Sequence, residues 1–114
     1  MKIEIFTHEN KEYLIQIGKS KEENDELCDT SLDADVWFHV ENEPSCHVFL
    51  KNIDQLKLRD IPRQVIKRCA YLCKINSKTK TQSKSKIMYT RMEHVTKTNK
   101  IGQVVVESYK IVLV

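Results

Sequence analysis

Two short apolar segments separated by a turn constrain the fold of this chain more than any other feature. They are residues 35–40 (DVWFHV) and 47–50 (HVFL), with a proline in the turn between them. Side chains of a β-strand point alternately to opposite faces. One face of the first segment is therefore apolar, with Val36, Phe38 and Val40. The other face carries an acid, a large aromatic ring and an imidazole, those of Asp35, Trp37 and His39.

A turn at residues 41–45 predicts that the two segments pair as an antiparallel hairpin. This pairing joins residue 40 to 46, 39 to 47 and 37 to 49. It places His39 opposite His47 and Trp37 opposite Phe49 on one face of the sheet. The arrangement depends on this register, because a slip of one residue moves every side chain to the other face.

The same residues resemble the core signature of the NFACT-R domain, an RNA-binding module of ribosome quality-control factors. Residues 35–40 are similar to its Asp-x-Trp-Phe-His segment, and residues 44–48 (PSCHV) to its Pro-x-x-His segment. Residues 17–19 (IGK) and 23–27 (ENDEL) resemble its Gly-basic pair and its Asn-x-x-Leu helix. Its closing strands resemble Tyr89-Thr90, His94–Lys97 and Gly102–Val104.

This resemblance covers nearly the whole chain and implies RNA or ribosome binding through one module, without catalysis. It points to the stand-alone eukaryotic branch of the family, since the chain begins directly at the domain. Two positions depart from the family pattern, with Ser45 at a small or glycine position and Lys19 at a usual arginine. The resemblance does not extend to a helical Lys/Glu-rich extension or to the other domains of the large factors, so it implies no tRNA-binding residue of those domains.

The length of 114 residues suits one domain with a modest core. We therefore expect a single α+β domain over residues 1–114, with a small mixed, largely antiparallel sheet packed with two helices. No apolar run approaches the ~20 residues that span a bilayer. The amino terminus also lacks a signal-peptide pattern. These features favour a cytoplasmic protein, and they leave its oligomeric state open.

Turn and capping residues place the remaining elements. Ser20 and Glu23 form a capping box that begins a first helix, which extends to about Cys28. Asp60 as an acidic cap and Pro62 in the first turn favour the start of a second helix. Its apolar stripe is Ile61, Val65, Ile66, Cys69, Leu72 and Cys73, and a basic ridge on another side is Arg63, Lys67, Tyr71 and Lys74. Further strands are expected at residues 2–6, 13–17, 87–90, 103–106 and 109–114.

Charge is distributed unevenly along the chain. Residues 1–56 carry 5 basic and 13 acidic residues, whereas residues 57–114 carry 14 basic and 3 acidic ones. The basic half predicts a surface for a polyanion, unless the fold mixes the two halves in space. Residues 76–86 (NSKTKTQSKSK) have no acid and no apolar residue, which predicts a flexible basic loop that gains order on a phosphate backbone.

The site predicted from these patterns binds RNA, and the family resemblance implies ribosomal RNA or tRNA, with ribosomal proteins as further partners. The phosphate contacts are Lys19, Arg63, Lys67, Lys74, Lys78, Lys80, Lys84 and Lys86. The contacts to bases are Trp37, His39 and His47. Trp37 stacks on a base if its face is open, and belongs to the core if the helix that follows Pro62 covers that face. Asp35 could instead hold the tautomer of His39.

Two other functions use the same residues. A protein-interaction adaptor would use the acidic half against a basic partner. A metal-dependent hydrolase would use Asp35, His39 and His47 as ligands, but no nucleophile or second carboxylate accompanies them. A zinc site of Cys69, Cys73, His39 and His47 does not have the spacing of a common zinc module. We therefore expect no enzyme, no cofactor and no metal.

Overall fold

Eight strands and two helices follow one another in the computed structural model, which describes residues 1–114. The strands are β1 (Lys2–His8), β2 (Lys11–Gly18), β3 (Val36–Val40), β4 (His47–Leu50), β5 (Lys86–Arg91), β6 (Val95–Lys97), β7 (Val104–Val106) and β8 (Lys110–Leu113). The helices are α1 (Lys21–Thr30) and α2 (Arg63–Ile75), with short 3₁₀ turns at Leu58–Asp60, Lys78–Thr81 and Met92–His94.

Six of the strands form one sheet in the order β1-β2-β4-β3-β5-β8, and β6 pairs with β7 in a separate ribbon. The predicted α+β fold with two helices is confirmed. Every pair of strands is antiparallel, so the sheet is not mixed. Neither helix combines the length and the apolar character that crossing a bilayer requires.

The hairpin of β3 and β4 has the predicted register. Trp37 pairs with Phe49 and Phe38 with Val48. The central strands β3 and β4 are buried on both faces. Each face contributes to a different core. This two-sided burial is the feature that positions the candidate site.

The larger core lies between the sheet and α2, which packs across β3 and β4. All six residues of the predicted apolar stripe are buried in it. The prediction that Asp60 caps this helix is wrong. Asp60 lies in the 3₁₀ turn that the backbone bond from Ile61 to Leu58 closes, so the helix begins after Pro62 without a side-chain cap.

A second, smaller core lies on the opposite face of the sheet, under α1 and the β6–β7 ribbon. It consists of Leu27, Trp37, Phe49 and Met92, with Val95, Val104 and Val106 packed against it. Trp37 is therefore a core residue, 1% exposed. The structure contradicts a stacking role for its ring, and it also shows that α1 and the ribbon, rather than α2, cover this face.

Residues 76–86 are partly buried, whereas their lack of apolar residues predicts a flexible loop. Thr79 is 1% and Ser85 4% exposed. The backbone of Ser85 exchanges two hydrogen bonds with that of Val114, which extends the pairing of β5 with β8. The segment therefore connects α2 to β5 as an ordered chain. Buried polar side chains and backbone hydrogen bonds hold it in place without an apolar residue.

Candidate nucleic-acid interface

A groove of about 690 Å³ opens on the face of the sheet that carries the second core. Three segments surround it: the start of α1, the β3–β4 turn and the end of the β6–β7 turn. His39 and His47 line it together with the edge of Trp37. The hairpin register brings these three side chains together, as the alternation of the sequence predicts.

The ring of His47 is held in one tautomer by Trp37. The indole N–H of Trp37 donates to Nδ1 of His47 at 3.0 Å. Because an indole nitrogen only donates, Nδ1 must be unprotonated, and the neutral ring carries its proton on Nε2. Burial, with a smaller effect of His39, lowers the pKa of His47 to about 3. His47 is thus a neutral donor at physiological pH.

The ring of His39 has the opposite tautomer. Its Nδ1 lies 2.6 Å from the carbonyl oxygen of Val40. A carbonyl only accepts, so Nδ1 carries the proton and Nε2 is left as an acceptor. Burial lowers the pKa of His39, although the bond to Val40 opposes that effect. The ring stacks on Trp37 at 5.4 Å and stands perpendicular to His47 at 4.8 Å between centroids.

Asp35 does not orient His39, contrary to one of the predicted roles. Its two carboxylate oxygens accept the backbone N–H groups of Leu32 and Asn52 at 3.0 and 2.9 Å. It also forms an ion pair with Lys51. Asp35 therefore fixes the loops at the entrance to β3 and the exit from β4, and its oxygens are already bonded.

The first turn of α1 forms one rim of the groove. Ser20 caps the helix by accepting from the backbone N–H of Glu23 at 3.1 Å, and the carboxylate of Glu23 accepts from that of Lys19 at 3.0 Å. The predicted capping box is therefore present, but the carboxylate of Glu23 binds the backbone N–H of Lys19 instead of that of the cap residue Ser20. It leaves the side chains of Lys19 and Lys21 beside the groove.

Two glycines allow the walls of the groove to approach each other. A Cβ on Gly18 would lie 2.2 Å from Oδ1 of Asn24 and 3.1 Å from Cδ1 of Leu27. This close approach explains why a glycine precedes the Asn-x-x-Leu helix. A Cβ on Gly102 would lie 2.7 Å from Cβ of Lys21, and Gly102 has a φ of +80°. The β6–β7 turn can therefore close on the start of α1.

Several residues of this groove were not among the predicted site residues. They are Lys21, Asn24, Met88 and the turn residues Ile101, Gly102 and Val104. Asn24 lines the groove, and its Oδ1 has no hydrogen-bond partner. The signal available in the sequence was the Asn-x-x-Gly pattern of residues 99–102, which is typical of a turn.

A second depression of about 700 Å³ adjoins the groove and is basic. Lys19, Lys78 and Lys80 line it, together with Ser77. Lys19, Pro44 and Ser45 belong to both depressions. The structure thus places Lys19 in the groove of His39 and His47, and Lys78 and Lys80 in the depression that adjoins it. We call Lys19, Lys78 and Lys80 the lysine surface.

The other predicted basic residues lie elsewhere. Arg63 and Lys67 are exposed on the first half of α2, and Arg63 lines a separate depression with Arg59 and Lys110. A helix of 13 residues is about 20 Å long, so Arg63 and the lysine surface lie at opposite ends of α2. Lys84 is exposed, and Lys86 is exposed on β5, two residues before Met88 of the groove.

Lys74 is not available as a phosphate contact in this structure. It is only 8% exposed, and its ammonium donates to the carbonyl oxygen of Val114 at 2.9 Å. Its helical spacing with Arg63, Lys67 and Tyr71 predicted a continuous ridge. The ridge is interrupted because the end of the chain packs against the last turn of α2.

The fold mixes the acidic and the basic half of the sequence in space. The acidic helix α1 shares one face of the sheet with the β6–β7 ribbon of the basic half, and α2 lies on the other face. Lys97 of the ribbon offsets part of the acidic charge by binding Asp25 and Asp29 at 3.1 and 2.7 Å. On the α2 side, Arg68 binds Glu4 with two hydrogen bonds of 2.7 Å.

The cysteines and histidines of the considered zinc site lie on opposite faces of the sheet. Cys69 and Cys73 are buried in the larger core under α2, whereas His39 and His47 line the groove. No three His, Cys, Asp or Glu side chains lie close enough together to hold a metal ion. All four cysteines are free thiols. Geometry therefore separates the four ligands that the sequence allowed.

Comparison with known proteins supports the resemblance that the hairpin carries. Residues 2–108 match the family described as the NFACT protein RNA binding domain. This chain belongs to the NFACT RNA-binding domain family. Residues Gly18, Asn24, Trp37, His39 and His47 of the family pattern are those that build the groove or the core beneath it.

Curated relatives of this NFACT domain include coiled-coil domain-containing protein 25 of zebrafish (Danio rerio) and of cattle (Bos taurus). The zebrafish protein is 35% identical over 95 residues, which is 81% of this chain and 46% of the relative. The bovine protein is 43% identical over 65 residues, 57% of this chain and 31% of the relative. The chain thus spans less than half the length of these relatives, and the branch expected from the sequence is confirmed.

A solved structure shares the fold. It is described as the C-terminal part of the fibronectin/fibrinogen-binding protein from Streptococcus suis. It aligns with 100% of this chain and 45% of its own length, at a TM-score of 0.84 and 24% identity. At this identity the likeness supports the architecture of the NFACT domain and nothing further about its ligand.

Proposed function

We propose that this domain is a non-catalytic module that binds single-stranded RNA across the groove and the lysine surface. We further propose that it acts in the cytoplasm on ribosomal RNA or tRNA, in translation or ribosome quality control, with ribosomal proteins as additional partners. The observation that carries the proposal is that a partly apolar groove holding two neutral histidines adjoins three exposed lysines.

These two surfaces suit the two parts of a nucleotide. Lysine ammonium groups attract the phosphate backbone without regard to sequence. A concave site with apolar walls and a few polar groups suits a base that is not paired in a duplex. RNA as the partner follows from the family of the domain. The ribosomal target extends beyond that family and is supported by the sequence resemblance.

Replacement of Lys19, Lys78 and Lys80 by glutamine should weaken RNA binding across sequences. Removing one phosphate contact to a single strand should reduce the slope of log affinity against log salt by about 0.7, so the slope of the triple variant should fall by up to about 2. Fluorescence anisotropy of a labelled single-stranded RNA at several salt concentrations measures this slope. A thermal melt of each variant verifies its fold.

The matched control replaces Arg59, Arg63 and Lys110 by glutamine, which removes the same charge at the other end of α2. Its affinity and salt slope should stay close to those of the unmodified domain. Equal losses in both variants would show that binding follows net charge alone, and would contradict the lysine surface as the site.

Ribosomal association has its own test. The tagged domain should recover ribosomal RNA or tRNA from a cell lysate, and RNase treatment should release the ribosomal proteins that accompany it. If proteins remain bound after RNase and no RNA is recovered from the untreated sample, the adaptor function is favoured. The acidic surface of α1 would then be the contact to a basic partner.

A further inference from the structure

The two histidines of the groove present one fixed donor and one fixed acceptor. The tautomers follow from geometry, since the indole of Trp37 requires an unprotonated Nδ1 on His47 and the Val40 carbonyl a protonated Nδ1 on His39. Nε2 of each ring makes no hydrogen bond within the protein and is not among the polar atoms buried without a partner. His47 therefore offers Nε2–H, and His39 offers the lone pair of Nε2.

This pair does not suit a phosphate. Phosphate oxygens only accept hydrogen bonds, so the lone pair of His39 would repel them. Both rings are also neutral at physiological pH because burial lowers the pKa of each. A ligand that carries both a donor and an acceptor satisfies the two histidines together.

The walls of the groove add a second constraint. Met88, Ile101, Val104 and Val106 contribute apolar surface on two sides of the histidines. The cavity of about 690 Å³ falls within the range of about 300–1,000 Å³ typical of small-ligand sites. The ligand should therefore be amphipathic, with apolar faces and a polar edge, which describes a nucleobase.

The rim supplies the place for the attached phosphate. Lys19 and Lys21 stand at the groove beside the first turn of α1, so their ammonium groups can approach a phosphate there. A base in the groove and its phosphate at this rim would occupy adjoining parts of one site. The lysine surface then continues in the direction of the next phosphates.

We propose that the groove binds the hydrogen-bonding edge of one unpaired nucleobase, with His47 as donor and His39 as acceptor. This inference rests on the proposed RNA-binding function, of which it names the recognition step. The ligand is thus a single nucleotide of a strand that is not paired at that position.

A strand without bases separates this inference from the proposed function. Anisotropy should show that a single-stranded RNA binds about tenfold or more tightly than an abasic sugar-phosphate strand of the same length. Equal binding of both strands would overturn base recognition while leaving the lysine surface in place. If the intact RNA itself does not bind, the proposed function fails and the inference fails with it.

Asparagine at each histidine tests the two atoms. In His47→Asn, the amide oxygen can still accept from Trp37, but the donor at the position of Nε2 is removed. In His39→Asn, the amide can still donate to Val40, but the acceptor is removed. Each variant should lose most of the preference for the intact strand and keep its affinity for the abasic one.

His47 is buried, and His47→Asn can fail to fold. His39 is only half buried, so His39→Asn then still tests the assignment. Lys21→Gln is the matched control at the rim, and it should lower the affinity for the intact and the abasic strand to the same extent. Histidine variants that retain the full preference would contradict the assignment.

Free nucleotides decide whether the base must belong to a strand. Adenosine, cytidine, guanosine and uridine monophosphates are titrated as competitors against the labelled RNA. We expect them to compete only at concentrations far above that of the RNA, because they lack the further phosphate contacts. Competition by a monophosphate as strong as that of the RNA would show a site for free nucleotides and overturn recognition of a strand.

Discussion

Replacement of Trp37 by alanine should lower the free energy of unfolding by about 3–5 kcal/mol. The ring is 1% exposed and packs in the small core with Leu27, Phe49 and Met92. The substitution removes this packing, and it also leaves Nδ1 of the buried His47 without its donor. Urea unfolding followed by far-UV circular dichroism measures the loss. Tryptophan fluorescence cannot report it, because Trp37 is the single tryptophan of the chain and the variant lacks it.

A phenylalanine variant separates the two parts of this effect. Trp37→Phe retains most of the apolar volume but removes the indole N–H, so it should cost about 1–3 kcal/mol for the unsatisfied acceptor. If Trp37→Ala unfolds at the same urea concentration as the unmodified domain but binds RNA more weakly, the ring would be an exposed stacking residue and its assignment to the core would be wrong.

The alternation in residues 35–40 was sufficient to predict the hairpin, its register and the meeting of Trp37 with His39 and His47. It was not sufficient to predict what covers them. The strands β6 and β7 have three residues each. The sequence predicts strands near both, at residues 94–97 and 103–106, but strands this short do not indicate that they pair with each other and cover one face of the sheet. The longer apolar stripe of α2 made that helix the expected cover for Trp37.

The basic residues illustrate a second limit. Helical spacing correctly places Arg63 and Lys67 on an exposed side of α2. It cannot show that the end of the chain returns to the last turn, where the carbonyl of Val114 binds Lys74. Composition likewise predicted a loop at residues 76–86, but the burial of Thr79 and Ser85 depends on backbone bonds that no side-chain pattern records.

Acidification should destabilise the domain well before its carboxylates titrate. In the unfolded chain, a histidine binds a proton near its ordinary pKa of 6.5, whereas folded His47 stays neutral until about pH 3. The unfolded state therefore binds more protons between these values, and stability falls as pH decreases through that window. From about pH 7.5 to about 4.5, His47 alone should remove on the order of 2 to 3 kcal/mol. His39, whose pKa is also lowered, should add to the loss.

The carboxylates with lowered pKa values, such as Glu4, lose their contribution only below the ordinary pKa of 4.5, so the window above it isolates the histidines. Urea unfolding at pH steps across this window measures the slope. His47→Asn should flatten it by about 1.4 kcal/mol per pH unit in the lower part of the window, because one histidine no longer titrates in the unfolded chain. Equal slopes for the unmodified domain and the variant would mean that His47 is protonated in the folded state. It could not then accept from Trp37, and the donor and acceptor roles assigned to the groove would be wrong.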